Sequence, residues 1–245
     1  VTLKPAIYII QDYVILSPEI FLGEIGASIV EGIKSIMGDL REDDLRQVFN
    51  LMDVILKTLP EEGPVIIRPL LPRTFNYVFD EEEHAHRRIT KSCSLIVARV
   101  LLNSREVFSQ IVNEFTSKSS AITSESVLAK LIEAFLNSQL GMFKDRKLIS
   151  LALCSLLSVN SPVVVFQQFS RIIGFLVECL NDIMASDDDP KPEVYVDTLV
   201  NVNCTEDDEE FGDSWEVGRI KKEMKKLRME DIVYTVCLRQ TLENQ

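Results

Sequence analysis

Two histidines are all the chain offers for imidazole chemistry, and both stand in Glu81-Glu82-Glu83-His84-Ala85-His86-Arg87-Arg88. Carboxylates beside a His-x-His could ligate a transition metal. The simpler reading is a polar turn whose acids sit at the start of the next helix, where the helix dipole stabilises negative charge. A Ser-His-Asp or Cys-His nucleophile would have to use one of these same histidines. No Gly-x-Ser-x-Gly elbow is present to raise a serine out of a sheet. The 9 glycines form neither a Gly-x-Gly-x-x-Gly nor a Walker-type phosphate loop. These residues assign no catalytic group, no metal ligand and no cofactor, and the chain is not expected to be an enzyme.

Carboxylates are the abundant chemistry. The segment 186–213 holds eleven acids and one base, −10 of a total of −12, and the segment 214–245 nets +2, which leaves −4 on everything before them. General acid–base work needs carboxylates in fixed geometry with shifted pKa values. Pro190, Pro192 and the dense like charge predict instead a mobile, hydrated segment, with β-branched Val194–Val202 able to lie extended against the body. It is either a solubilising linker or a lure for basic partners, and in the second case Asp187, Asp188, Asp189, Glu206, Asp207, Asp208, Glu209 and Glu210 are its binding residues. Trp215, the single tryptophan, follows at the junction with a helix, as a docking anchor on the body or a partner hot spot. Arg219, Lys221, Lys222, Lys225, Lys226 and Arg228 come next at helical spacing. They read as a solvated face, as a partner of the acidic run, or more remotely as a surface for nucleic acid or membrane.

The overall balance of 38 acids against 26 bases lacks the basic field a general nucleic-acid binder needs, and it repels anionic lipid. Basic protein partners are favoured, chiefly through encounter rate. Five scattered cysteines with no Cys-x-x-Cys signal neither a disulfide framework nor a zinc site. They suggest a reducing compartment, with Cys93, Cys154 and Cys179 as small core hydrophobes. The apolar windows Leu148–Val159 and Val163–Leu180 are too short or too polar to span a bilayer, so a soluble protein is expected. The chain begins with Val1 rather than Met, without the basic start of a signal peptide, which suggests a fragment or a processed chain.

The elements that must carry these residues are helices. Leu45, Val48, Phe49, Met52, Ile55, Leu56 and Leu59 form one apolar stripe, and Val127, Leu128, Leu131, Ile132, Phe135 and Leu136 form another. Ser17-Pro18 and Ser161-Pro162 read as N-caps before a proline at the first helical position, Asp39 with Glu42 as a capping box, and Thr123-Ser124-Glu125 as a helix start. Gly38, Gly63 and Gly141 sit where helices should stop. Helices are expected at about 4–15, 17–37, 41–59, 64–79, 86–102, 104–116, 124–140, 143–158, 162–184 and 217–241, the fourth kinked at Pro69 and Pro72. First helices beginning near 4, 41, 86 and 143, with second helices near 17, 64, 124 and 162, predict stacked hairpins of roughly HEAT or armadillo length. Residues 104–123 form an insertion. The domain reading is 1–185 helical repeats, 186–213 acidic insertion and 214–245 a closing C-terminal helix. Ile7, Ile10 and Val14 are expected to lie partly uncovered at the N-terminal end, favouring self-association there.

Several blocks resemble one family. Arg146-Lys147-Leu148-Ile149-Ser150-Leu151-Ala152-Leu153-Cys154-Ser155-Leu156-Leu157 is similar to the penultimate-helix motif of importin-β-type karyopherins. It is followed in matching order by Val177–Met184, an acidic insertion and Glu230–Leu238, and preceded by Val97–Asn103 with Val107-Phe108. The resemblance covers most of residues 41–242 in layout. It implies an all-α HEAT-repeat superhelix that carries protein cargo through the nuclear pore and shuttles between nucleus and cytoplasm. Acidic loops would take basic cargo, N-terminal repeats outside this chain would bind Ran-GTP, and the outer surface would meet Phe-Gly nucleoporins. If second helices line the inner face, Arg73, Glu133 and Arg171 become candidate partner-binding residues, together with Glu24, Glu31, Asn76, Asn137 and Asp182. The alternative is a static HEAT scaffold of a multiprotein assembly, which Ran-dependent release would distinguish. A helical enzyme with a carboxylate site is the weakest third reading.

Overall fold

A computed structural model of the chain describes residues 3–79, 87–117, 123–138, 140–158, 161–185 and 215–244. Every regular element among them is helical. They are α1 (Lys4–Leu16), α2 (Pro18–Ile20), a π-helical turn (Phe21–Ile25), α3 (Gly26–Ile36), α4 (Glu42–Thr58), α5 (Gly63–Ile66), a 3₁₀ turn (Arg68–Leu70), α6 (Leu71–Phe79), α7 (Arg87–Asn103), α8 (Arg105–Ser117), α9 (Ser124–Asn137), α10 (Phe143–Leu156), α11 (Val163–Gln167), α12 (Phe169–Ala185), α13 (Trp215–Glu230), α14 (Ile232–Thr235) and α15 (Leu238–Glu243).

The helices stack in two rows. α1, α4, α7 and α10 pack side by side, and α14 and α15 close the row against α10. The second row runs from α3 through α5 and α6 to α8 and α9 and on to α11 and α12. The first helices begin at Lys4, Glu42, Arg87 and Phe143, each within a residue of its predicted start. This is an all-α solenoid of antiparallel helix pairs, as the hairpin spacing predicts. One continuous core runs between the rows, because each helix buries one stripe and stacking is what covers it. Val48, Met52, Ile55, Val97, Leu131, Phe135, Ile149 and Leu153 all lie in it. The inserted α8 is part of this core. Its Phe108 and Phe115 meet Phe75 with ring centroids 6.1 and 5.7 Å apart, and Phe79 joins Phe115 edge-on at 5.7 Å.

Pro69 and Pro72 split the fourth predicted helix into α5, the 3₁₀ turn and α6, as proline's missing N–H and fixed φ require. The second predicted helix carries a π turn that the apolar pattern did not announce. Gly26 makes it possible, since a Cβ there would sit 2.6 Å from the Phe21 carbonyl oxygen. Thr123 forms a capping box with Ser126.

Other local readings need correction. Ser17 makes no side-chain cap, and α4 starts after Arg41 with no box from Asp39. Its acids Glu42, Asp43 and Asp44 act on the helix dipole instead. Ser161 does not cap α11, whose N-cap is Pro162. Its hydroxyl turns back to the Leu156 carbonyl at the end of α10. Gly63 does not end a helix but opens α5. The C-terminal helix is not continuous over 217–241: α13 stops at Glu230, and Asp231 and Cys237 begin two further short helices.

Ile7 and Val14 are fully buried, and only Ile10 is partly so. That side of α1 packs on α4 and α13, a contact that one helix's periodicity cannot show. The apolar residues α1 does expose are Tyr8, Ile9 and Tyr13. No helix among the described residues is long and apolar enough to cross a membrane.

Candidate functional site

The most elaborate polar arrangement lies where the C-terminal elements meet the first row. Arg99 sits on α7 between buried Ala98 and Val100 and is itself 4% exposed. A buried guanidinium demands carboxylates, and two converge on it. Its Nη1 and Nη2 donate to Oδ1 and Oδ2 of Asp231 at 2.9 and 3.0 Å, and its Nε donates to Oδ1 of Asp53 on α4 at 2.9 Å. Lys57, one turn beyond Asp53, pairs with Asp53 at 2.5 Å and with Asp231 at 3.6 Å. Burial pushes the Asp53 carboxyl up, but Lys57 and Arg99 outweigh it and hold that carboxyl below its ordinary range. Burial likewise disfavours the Arg99 charge, and the two aspartates reverse the effect. Asp231 also accepts from the Val233 N–H at 3.2 Å and so caps α14. One carboxylate thus ends α13, starts α14 and fastens both to α4 and α7.

Beside this network lies an open cleft of about 1010 Å³ between α13 and the first-row helices. α4 supplies Arg46, Asp53 and Lys57, α7 supplies Lys91 and Arg99, α10 supplies Lys144 and Asp145, and α13 supplies Lys221, Lys222, Lys225 and Arg228. With Asp231 the lining carries nine cations and three carboxylates, the reverse of the chain as a whole. Half-buried Val54 and Leu95 give it an apolar floor, backed by the buried Phe49, Ile96, Leu148 and Val233. Lys91 pairs with Asp145 at 2.8 Å. Arg228 donates from Nε to the Tyr234 hydroxyl at 3.0 Å, which ties α13 to α14.

The sequence candidates fall elsewhere. Glu133 on α9 and Arg171 on α12 form an exposed pair, Arg171 donating to both carboxylate oxygens at 2.7 and 3.1 Å, with Asn137 and Gln168 alongside. The Arg171 hydrogen bond, then that of Asn137, holds the Glu133 carboxyl below its ordinary value. The pair joins two second-row helices, and a surface ion pair of this kind contributes little stability. Arg73 is not brought to it: its guanidinium lies against Gly38, next to the end of α3. Asp182 pairs with Arg146 of α10, and Glu31 with Lys34 one turn on. Asp187, Asp188, Asp189, Glu206, Asp207, Asp208, Glu209 and Glu210 lie outside the described residues, as do Val194–Val202, His84 and His86. Trp215 opens α13, and its side chain is likewise outside what is described.

Sequence reasoning missed Arg99, Asp53 and Asp231. The signal was there: a lone arginine inside Leu95–Leu102, a run otherwise apolar, implies a buried acid somewhere in the fold. The cleft was not legible, because its walls come from four helices far apart in the chain.

A family model described as importin-11-like TPR repeats matches residues 2–245. The chain belongs to this family. It is therefore an importin-β-type karyopherin, the family that Arg146–Leu157, Val177–Met184 and Glu230–Leu238 resemble. The importin-11 proteins of Homo sapiens and Mus musculus are each 28% identical to it over 246 residues, covering 97% of this chain and 24% of theirs. The chain thus spans about a quarter of the length of these curated relatives. No solved structure matches it. The family description says TPR where the spacing suggested HEAT. Both are stacked antiparallel helix pairs, and the first helices here are spaced more widely than the roughly 34 residues of a TPR unit. In the described residues no group of three His, Cys, Asp or Glu is arranged to hold a metal.

Proposed function

We propose that this chain is the cargo-binding, C-terminal part of a nuclear transport receptor that carries protein cargo through the nuclear pore and shuttles between nucleus and cytoplasm. The reading is carried by the match of essentially the whole chain to importin-11-like repeats. It performs no chemistry of its own. Asp187–Asp189 and Glu206–Glu210 recruit basic cargo by raising its encounter rate, since the segment 186–213 concentrates −10 of charge. Ran-GTP releases the cargo through repeats outside this chain, and Phe-Gly nucleoporins meet the receptor's outer surface. Glu133, Arg171, Arg73 and Trp215 are further partner-binding candidates.

Affinity capture on the receptor that contains this region, eluted with Ran-GTP, tests the reading. Basic proteins should elute, and deletion of 186–213 should slow their association and flatten its salt dependence. Partners retained in the presence of Ran-GTP would instead favour the static scaffold. Equal association rates at low salt with and without 186–213 would leave that segment a linker.

A further inference from the structure

We propose that the basic cleft between α13 and the α4–α7–α10 row is a docking site for an acidic-hydrophobic peptide segment of a partner protein. This inference is independent of the recruitment role given to the acidic residues 187–210. It rests on a surface of the opposite sign.

Charge complementarity carries it. In a chain of net −12, nine of the twelve charged groups around this cleft are cationic. Structural pairing accounts for some of them: Arg99 and Lys57 are held by Asp53 and Asp231, and Lys91 by Asp145. Lys144, Lys222 and Lys225 are different. All three are exposed, all line the cleft, and none of their side chains makes an ion pair or hydrogen bond among the described residues. Lys222 and Lys225 are three residues apart on α13 and share a face. Lys144 stands on α10 at the opposite wall, so the three cations present charge to a ligand from two sides.

The floor decides the class of anion. Half-buried Val54 and Leu95 offer apolar surface between the cations, and the exposed Met142, Met224 and Met229 offer adaptable thioether contacts at the rim. A peptide that alternates carboxylates with Leu or Phe satisfies both features. A polynucleotide satisfies them poorly. Its continuous phosphate charge leaves no apolar side chain to set against Val54, Leu95 and the three methionines.

The test is fluorescence anisotropy of a labelled ten-residue peptide of alternating Asp or Glu with Leu or Phe, titrated with the full chain. Saturable, salt-sensitive binding is expected. It should weaken at least tenfold in Lys222→Glu/Lys225→Glu, and also in Lys144→Glu, with helicity by circular dichroism unchanged in both. Because these lysines are exposed, loss of fold would not explain such losses. Binding that ignores all three substitutions would overturn the proposal. So would equal affinity for a single-stranded RNA of matched charge, which would reduce the cleft to a charge sink. A variant with Glu206→Gln, Asp207→Asn, Asp208→Asn, Glu209→Gln and Glu210→Gln separates the remaining occupant. If only this variant binds the peptide, the cleft is filled by the chain's own acidic residues and the external partner is refuted. If neither protein binds it, the site does not exist.

Discussion

Arg99 and Asp231 are 132 residues apart in the chain and meet through two parallel hydrogen bonds of 2.9 and 3.0 Å, both side chains 5% exposed. This pair fixes where the C-terminal elements sit. α13 would otherwise be held mainly by its contacts with α1 and α14, and α14 is only four residues long. Losing one partner leaves the other charge buried alone. Arg99→Ala or Asp231→Ala should each cost about 3–5 kcal/mol, whereas an apolar pair of similar volume at both positions should cost much less. Urea denaturation of the three variants measures this. Single-variant losses below about 1 kcal/mol would mean the pair is solvated and does not latch the C-terminal elements.

The Asp53 carboxyl makes that latch sensitive to acid. Its folded pKa lies below its ordinary value near 3.8, because Lys57 and Arg99 overcome the effect of burial. A depressed carboxylate contributes stability that is complete above the unfolded pKa and is lost as pH falls through the folded one. The native chain should therefore lose stability more steeply than Asp53→Asn below about pH 4. Thermal melts of both proteins between pH 5 and pH 2.5 check the sign, and parallel curves would refute it.

Phe135 and Leu153 are wholly buried on the second and first rows. Truncation to Ala should cost about 3–5 kcal/mol for the phenylalanine and about 2–5 kcal/mol for the leucine. Both losses are severe against a typical stability of about 5–15 kcal/mol. Denaturation midpoints that do not move would put these side chains on the wrong helix faces.

Cys154 is fully buried, and its thiol is pushed up to about 12, first by burial and then by Cys179. At pH 8 its thiolate fraction is of order 10⁻⁴, so native labelling by iodoacetamide should be negligible at Cys154 and complete after unfolding. Burial also raises the Cys93 thiol well above its usual range. Raised thiols favour the folded state only below the unfolded pKa, so stability should decline as pH rises above about 9. Mass spectrometry of pulse-labelled protein identifies which cysteines react. Rapid native labelling of Cys154 would contradict its place in the core.

The sequence by itself determined the helices, their pairing and the faces they bury. Those properties are local: a stripe such as Leu45 to Leu59 has the same period whatever it packs against, and prolines at 69 and 72 break a helix in any fold. The solenoid follows from them, because a one-faced helix pair must stack on its neighbours. Glu133 and Arg171 were legible as polar positions on the second helices, though nothing in either segment predicts that they pair with each other. The break in the last helix was not legible. Glu230–Leu238 reads as continuous by periodicity, and the break arises because Asp231 turns to Arg99, which only the stacking of α4, α7 and α10 brings within reach. The basic cleft was hidden for the same reason. Lys144, Lys222 and Lys225 each look like an ordinary solvated lysine, and a field of one sign forms only where tertiary packing sums charges from separate helices across a shared gap.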